Sequence, residues 1–241
     1  MIRFIEIPLG RGVTCSCVRC APRAHPQFDS AEIIGARVAD AVATWADGPG
    51  PNVFFTGPEP FSHPELPTLV ADAAGMGVER IGLRTDAGAL SIPGNADGVL
   101  AAGVRHLQVV MLAGSAESHD ALTGRVGLFD AAAAGVSAFV AAAHGSNVRV
   151  AVTGLVPVCA HNVSELSAAV AALSRVGVLA VEIEVSTDQS GSREFSTWAA
   201  AAADTGLVNG VWVHFSGGQV ADASVSPLHG VSPFVLTECA S

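Results

Sequence analysis

The chain has 241 residues, of which 50% are hydrophobic and only 14% are charged. This composition supplies a large apolar core and differs from that of a disordered chain. The formal net charge is −10, with twelve arginines and no lysine, and no basic stripe is present, so we do not expect nucleic acid as a partner.

The first predicted element, a strand at the N-terminus, is interrupted by Arg3, Glu6 and Pro8 and so lacks the apolar core of a signal peptide. The longest apolar tract, 131–143, is shorter than the roughly 20 residues of a membrane-spanning helix. Five cysteines, three of them clustered, do not resemble the evenly spread disulfides of a secreted scaffold. We therefore expect a cytoplasmic protein without a membrane partner.

Short β-branched runs alternate with longer alanine-rich helical stretches along the chain. This alternation is typical of repeated βα units around a parallel sheet, so the predicted fold class is α/β. Seven strands are predicted, at 2–7, 52–56, 80–84, 106–112, 148–155, 180–185 and 210–215. Ligands of such sheets and barrels gather at the carboxyl ends of the strands, so the loops that follow the strands are the candidate sites.

The loop after the first strand carries Cys15, Cys17 and Cys20 within six residues. Thiolates are soft ligands, and three of them on one turn suit an iron-sulfur centre or another soft metal. A zinc site is less well supported, because two well-spaced pairs or added histidines would be expected and only His25 is near.

Two other loops carry candidate groups. Glu59 stands in an apolar strand-to-turn segment, where it could also be a solvated surface charge. His119 beside Asp120 follows the fourth strand, either as an acid-base pair or, more simply, as a polar helix start.

These segments, in this order and at these separations, resemble the radical S-adenosylmethionine (radical SAM) superfamily. That family has a three-cysteine loop after its first strand and a Gly-Gly-Glu-Pro motif at the end of its second. A Thr-Asn-Gly turn ends the third strand, and a segment like His-Asp-x-Leu-Thr-Gly follows the fourth. The counterparts here are Cys17 and Cys20, Gly57-Pro58-Glu59-Pro60, Thr85-Asp86-Ala87-Gly88 and the segment 119–124. The likeness extends from residue 2 to about residue 185 and includes Asn162 after the fifth strand.

The resemblance implies an open, partial TIM-like barrel of six or seven βα units, as one radical SAM-like domain over residues 1–241. It also implies a 4Fe-4S cluster on Cys15, Cys17 and Cys20, with S-adenosylmethionine (AdoMet) bound near Gly57, Glu59 and Asp86. In the family, one electron cleaves AdoMet to methionine and a 5'-deoxyadenosyl radical, which abstracts a substrate hydrogen. A small-molecule or peptide substrate and an electron donor are the implied partners.

Several positions depart from the family pattern. Val13 stands where the usual C-x3-C-x2-C spacing has its first cysteine, Arg19 replaces an aromatic residue, and Pro58 replaces the second glycine. Val110 and Leu112 stand where many members have a serine and an aspartate. The alternative function is therefore a cluster-free or non-cleaving pseudoenzyme that binds a peptide or another enzyme. An ordinary metal-dependent hydrolase is disfavoured, because no carboxylate-histidine cluster follows the strands.

The last strands offer further candidate groups. Glu182 and Glu184 share one strand face, either in a barrel lumen where they could bind a cationic substrate group, or on an exposed sheet face. Cys159 and His161 follow the fifth strand and are interpreted as a packing thiol and a loop histidine, and His214 as a core or lumen histidine.

Overall fold

A computed structural model describes residues 2–12, 26–46, 48, 50–185, 193–217 and 234–237. Cys15, Cys17 and Cys20, the predicted cluster ligands, lie outside the described residues, as do Val13, Arg19 and His25.

The described chain is built around one parallel sheet of eight strands in the order β10-β1-β4-β5-β6-β7-β8-β9. Its edges among the described residues are β9 and β10, so the sheet is open. The strands are β1 (Ile2–Pro8), β4 (Asn52–Thr56), β5 (Arg80–Thr85), β6 (Val104–Val110), β7 (Ala151–Pro157), β8 (Ala180–Glu184), β9 (Trp212–Ser216) and β10 (Phe234–Thr237). Two short strands, β2 (Gly10–Arg11) and β3 (Gln27–Phe28), pair antiparallel beside it.

All seven predicted strands are confirmed, one with its exact bounds, three with one end shifted by one residue and three with larger shifts. The predicted strand at 106–112 begins earlier and ends at Val110. The predicted strand at 148–155 begins only at Ala151, because the Val148 N–H bonds to the Ala143 carbonyl and closes the preceding helix. Val211 likewise bonds back to Gly206, which delays β9. The eighth strand, β10, pairs in parallel with β1 and was not predicted.

Helices connect the strands and cover one face of the sheet. They are α1 (Ala31–Thr44), α2 (Leu66–Gly75), α3 (Asn95–Ala102), α4 (Ala116–Thr123), α5 (Leu128–Gly145), α6 (Leu166–Arg175) and α7 (Arg193–Asn209). The core between helices and sheet contains the outward-pointing strand residues, such as Phe55, Leu107 and Ile183, together with helical residues such as Phe139. Because side chains alternate along a strand, the neighbouring positions point to the opposite, inner face.

The longest helix, α5, is long and apolar enough by length and composition alone to cross a membrane. It carries a buried stripe that includes Leu128, Ala132, Val136 and Phe139, and the last three of these join the hydrophobic core. A helix that packs one apolar stripe on a sheet is the ordinary arrangement in an α/β protein.

Candidate functional site

The Glu59 carboxylate connects the ends of two neighbouring strands. Glu59 follows β4 and precedes a short 3-10 helix, where its Oε1 accepts a hydrogen bond from the Phe61 N–H at 3.3 Å. The Thr85 hydroxyl, at the end of β5, donates to the same oxygen at 2.6 Å. The Asp86 N–H donates to Oε2 at 2.8 Å. The glutamate is therefore oriented by three donors at the carboxyl edge of the sheet and is not a solvated surface charge.

Asp86 lies on the turn after β5 and carries a second carboxylate of this site. Its Oδ1 accepts from the Gly88 N–H at 2.9 Å, and its Oδ2 pairs with the guanidinium of Arg125. Ala87 adopts a left-handed φ of 60°, and its N–H donates to the Thr85 hydroxyl. Arg125 lies in the connection between α4 and α5. Asp86 therefore links this connection to the turn after β5 and to Glu59 after β4.

Among the described residues, the site holds the two carboxylates of Glu59 and Asp86 and one guanidinium, that of Arg125. The pKa of Glu59 is raised from 4.5 to about 7, mainly by burial and also by the nearby Asp86 carboxylate, against the opposing effect of the hydrogen bonds from Thr85, Asp86 and Phe61. Glu59 keeps partial solvent exposure as a residue, while its carboxylate lies among protein atoms. A cation placed against this carboxylate would relieve the electrostatic cost and favour its ionised form.

Gly57 and Pro58 form the turn before Glu59. Gly57 has a φ of +99°, and a Cβ added there would lie 3.2 Å from the Gly10 carbonyl oxygen. Glycine is therefore required both by conformation and by the close approach of the β2 backbone. Pro58 is buried and has no N–H to offer to a ligand.

His119 and Asp120 do not act together as an acid-base pair in this structure. Ser115 caps α4 by accepting from the Ser118 N–H, so the helix begins before both residues. His119 Nδ1 accepts from the Leu112 N–H at 3.2 Å, whereas Asp120 accepts from the N–H groups of Gly127 and Phe129. Both side chains shape the backbone around the site.

Asn162 is fully buried and connects the ends of β6 and β7. Its Nδ2 donates to the carbonyls of Leu112 and Pro157, and its Oδ1 accepts from the Cys159 N–H. Cys159 is a half-buried free thiol. His161 is exposed, in agreement with its interpretation as a loop histidine.

The inner face of the sheet carries a hydrogen-bonded polar array. Glu182 accepts from the Gln108 side chain at 2.9 Å and from the Ser216 hydroxyl at 2.6 Å. Arg84 donates to Gln108 at 2.7 Å and pairs with Glu6 at 2.6 Å. Since the Val181 and Ile183 side chains enter the core against the helices, Glu182 and Glu184 point to the inner face.

His214 lies beside Glu182 on this same face, because the two are register partners in β8 and β9. It is half-buried. These residues therefore lie on the face of the sheet opposite the helices, where Glu182 is half-buried.

The sequence reasoning missed Arg84, Gln108 and Arg125. Arg84 and Gln108 could have been found from the alternation of their strands, which places both on the face that carries Glu182. Arg125 had no such signal, because its partner Asp86 is 39 residues away. Within the described part of the chain, no group of three His, Cys, Asp or Glu side chains could hold a metal ion.

Comparison with known proteins gives a consistent relationship. No protein-family model matches the chain. The AdoMet-dependent heme synthase of Oleidesulfovibrio alaskensis is 26% identical over 134 residues, which are 56% of this chain and 34% of that protein. The chain thus spans about a third of the length of that curated relative.

Solved structures share the fold at low sequence identity. The structure of Streptococcus suis SuiB bound to precursor peptide SuiA superposes with a TM-score of 0.64 and 11% identity, covering 90% of this chain and 48% of SuiB. The structure of anSMEcpe with bound AdoMet and Cp18Cys peptide gives a TM-score of 0.63 and 12% identity, covering 88% of this chain and 64% of that protein.

These neighbours have the partial TIM barrel that the resemblance implied, and the parallel sheet of this chain has the same fold. The predicted resemblance to the radical SAM superfamily is confirmed as a similarity: the chain is similar in sequence to the AdoMet-dependent heme synthase over 134 residues and shares the fold of SuiB and anSMEcpe.

Proposed function

We propose that this protein binds AdoMet at the Glu59 site and a 4Fe-4S cluster on Cys15, Cys17 and Cys20, and that it modifies a peptide or small-molecule substrate. The observation that carries the proposal is the buried, oriented Glu59 carboxylate with Asp86 beside it, at the carboxyl edge of the sheet.

The residues of this site fit the methionine end of AdoMet. The AdoMet ammonium is a cation, and Glu59 presents a carboxylate whose pKa is raised by burial and by the nearby Asp86 carboxylate. Gly57, two residues before Glu59, has no side chain that could obstruct a ligand there. Asp86, held by Arg125, adds to the negative potential.

The donor set of Cys15, Cys17 and Cys20 fits an iron-sulfur cluster by its chemistry. Three cysteine thiolates within six residues are soft ligands of the kind that hold iron. Reduced thiols of this kind persist in the cytoplasm, where we place the protein. Together, the cluster and AdoMet would supply one-electron reductive chemistry, for which an external electron donor is required.

The inner-face array is proposed as the wall against which the substrate lies. It extends from Glu6 on β1 to Ser216 on β9 and presents donors and acceptors toward the inside of the open barrel. Peptides occupy the named neighbours SuiB and anSMEcpe, which supports a peptide as one of the two substrate classes.

The first test measures iron, sulfide and the ultraviolet-visible spectrum of protein reconstituted without oxygen. Wild type is compared with a C15A/C17A/C20A triple variant, and about four irons per chain with a broad absorbance lost in the variant is the expected result. Calorimetric titration with AdoMet then compares wild type with Glu59→Gln, which we expect to bind at least about tenfold more weakly. Equal iron uptake by wild type and the triple variant would refute the cluster.

The second candidate function is a non-cleaving partner protein. Leu112 favours it, because its side chain is apolar and its backbone N–H and carbonyl are both already bonded within the protein. A wild type that binds AdoMet or a peptide but takes up no cluster would support this function over the first.

A further inference from the structure

Both backbone polar groups of Leu112 are held by buried side chains from different parts of the chain. The Leu112 N–H donates to His119 Nδ1 at 3.2 Å, and its carbonyl accepts from Asn162 Nδ2 at 3.0 Å. His119 is only 1% exposed and Asn162 is not exposed at all. We call this three-residue arrangement the Leu112 clamp.

Asn162 is fully used within the clamp. Besides Leu112, its amide donates to the Pro157 carbonyl at 2.9 Å and accepts from the Cys159 N–H at 2.7 Å. The side chain therefore fixes the end of β7 to the segment that follows β6. Removal of such a buried amide leaves several backbone groups without partners, which is costly.

His119 is held in one protonation state and one tautomer by the clamp. An Nδ1 that accepts a hydrogen bond requires the proton of the neutral ring to be on Nε2. Burial lowers the pKa of His119, and Arg125 acts in the same direction, while Asp120 and Asp86 oppose it. The Nε2 atom has no hydrogen-bond partner within the described structure, so the ring keeps a buried donor unpaired while its Nδ1 holds Leu112.

The segment 112–114 also packs closely against α6. A Cβ added to Gly114 would lie 2.2 Å from the backbone of Ala168 in α6. Leu112 and Ala113 are both buried. The backbone after β6 is therefore held by the hydrogen bonds of the Leu112 clamp and packs closely against α6.

We propose that His119 and Asn162 are positioning residues that hold the 112–114 backbone as one wall of the AdoMet site. This inference rests on the proposed function. Leu112 has no polar side chain with which to contact a ligand, so the path of the backbone is what this segment contributes. The clamp fixes that path at the carboxyl edge of β6, the strand next to β5, whose final turn carries Asp86.

The test compares two histidine replacements of similar polarity. In His119→Asn the side-chain amide lies near the former Nδ1 and can accept from the Leu112 N–H, whereas in His119→Gln it lies near the former Nε2 and cannot. We expect AdoMet affinity within about threefold of wild type for His119→Asn, and a loss of about tenfold or more for His119→Gln and Asn162→Ala. Of the two histidine variants, only His119→Gln should show faster hydrogen exchange of the Leu112 amide, measured without AdoMet.

A matched control separates positioning from general destabilisation. His106 lies near the start of β6, is 4% exposed and forms a hydrogen bond with the Thr153 hydroxyl at 2.9 Å. His106→Asn should lower the melting temperature but leave AdoMet affinity unchanged. The proposal is overturned if His119→Gln and Asn162→Ala lower the melting temperature yet bind AdoMet like wild type. If wild type itself binds no AdoMet, the proposed function fails first, and this inference fails with it.

Discussion

The Asp86 N–H donates to the Glu59 carboxylate at 2.8 Å, while the Asp86 side chain raises the pKa of that same carboxylate. Asp86 therefore orients the Glu59 carboxylate through its backbone and makes ionisation of that carboxylate less favourable through its side chain. The hydrogen bond fixes the orientation of the Glu59 carboxylate. The repulsion between the two carboxylates would be relieved by a bound cation.

The pH dependence of stability should report the Glu59 pKa. The pKa is raised from 4.5 to about 7, so the protonated form is favoured more in the folded than in the unfolded state. Its contribution to stability is fully present below pH 4.5 and is lost as the pH rises through about 7. We expect the wild-type melting temperature to fall between pH 5 and pH 8 by several degrees more than that of Glu59→Gln. Parallel pH profiles of the two proteins would contradict the raised pKa.

AdoMet binding should show the opposite pH trend. Only the ionised carboxylate attracts the ammonium, so we expect affinity to increase between pH 6 and pH 7.5, with release of a proton on binding. Titration calorimetry in buffers of different ionisation enthalpy measures that proton. Glu59→Gln should bind weakly at every pH in this range, without proton release.

Arg125→Ala should have little effect on the stability of the protein but should shift the pH dependence of AdoMet binding. Arg125 is 41% exposed and pairs with Asp86, and ion pairs of this kind contribute at most about 1 kcal/mol to the free energy of unfolding. Loss of the guanidinium leaves Asp86 uncompensated and should raise the Glu59 pKa further. The midpoint of the pH dependence of AdoMet binding should therefore move upward, and an unchanged midpoint would show that Arg125 does not act on Glu59.

Thr85→Val should destabilise the protein by about 1–3 kcal/mol. The substitution removes the hydroxyl that donates to Glu59 at 2.6 Å and accepts from the Ala87 N–H at 2.9 Å, in a residue that is 1% exposed. Chemical denaturation measures the change. Thr205→Val is the control, because the Thr205 hydroxyl makes only an exposed bond within α7, and it should have a much smaller effect.

Gly57→Ala should be more destabilising than Gly77→Ala. The two glycines have almost the same φ, +99° and +98°, but a Cβ at Gly57 would lie 3.2 Å from the Gly10 carbonyl oxygen, whereas at Gly77 it would meet open space. Backbone strain alone costs about 1 kcal/mol or more at either position. The difference between the two variants in unfolding free energy therefore measures the effect of the close approach between Gly57 and Gly10. Equal losses of stability in the two variants would show that this contact has no effect.

The sequence by itself determined the alternation of strands and helices and the order of the motifs along the chain. The strand Asn52–Thr56 was predicted with its observed bounds, because a β-branched and aromatic run ends at a Gly-Pro turn, and both signals are local. Glu59 and Asp86 could be placed at one edge of the sheet, because the carboxyl ends of parallel strands meet there.

Only the tertiary structure decided which of these groups touch and in which direction they point. The Arg125–Asp86 pair joins residues 39 apart in sequence, and the bond from Gln108 to Glu182 joins residues 74 apart. The pairing of β10 with β1 links opposite ends of the chain. Periodicity and turn chemistry report on a residue's own neighbours in sequence, whereas these contacts depend on the twist of the sheet and the packing of its connections, to which distant segments all contribute.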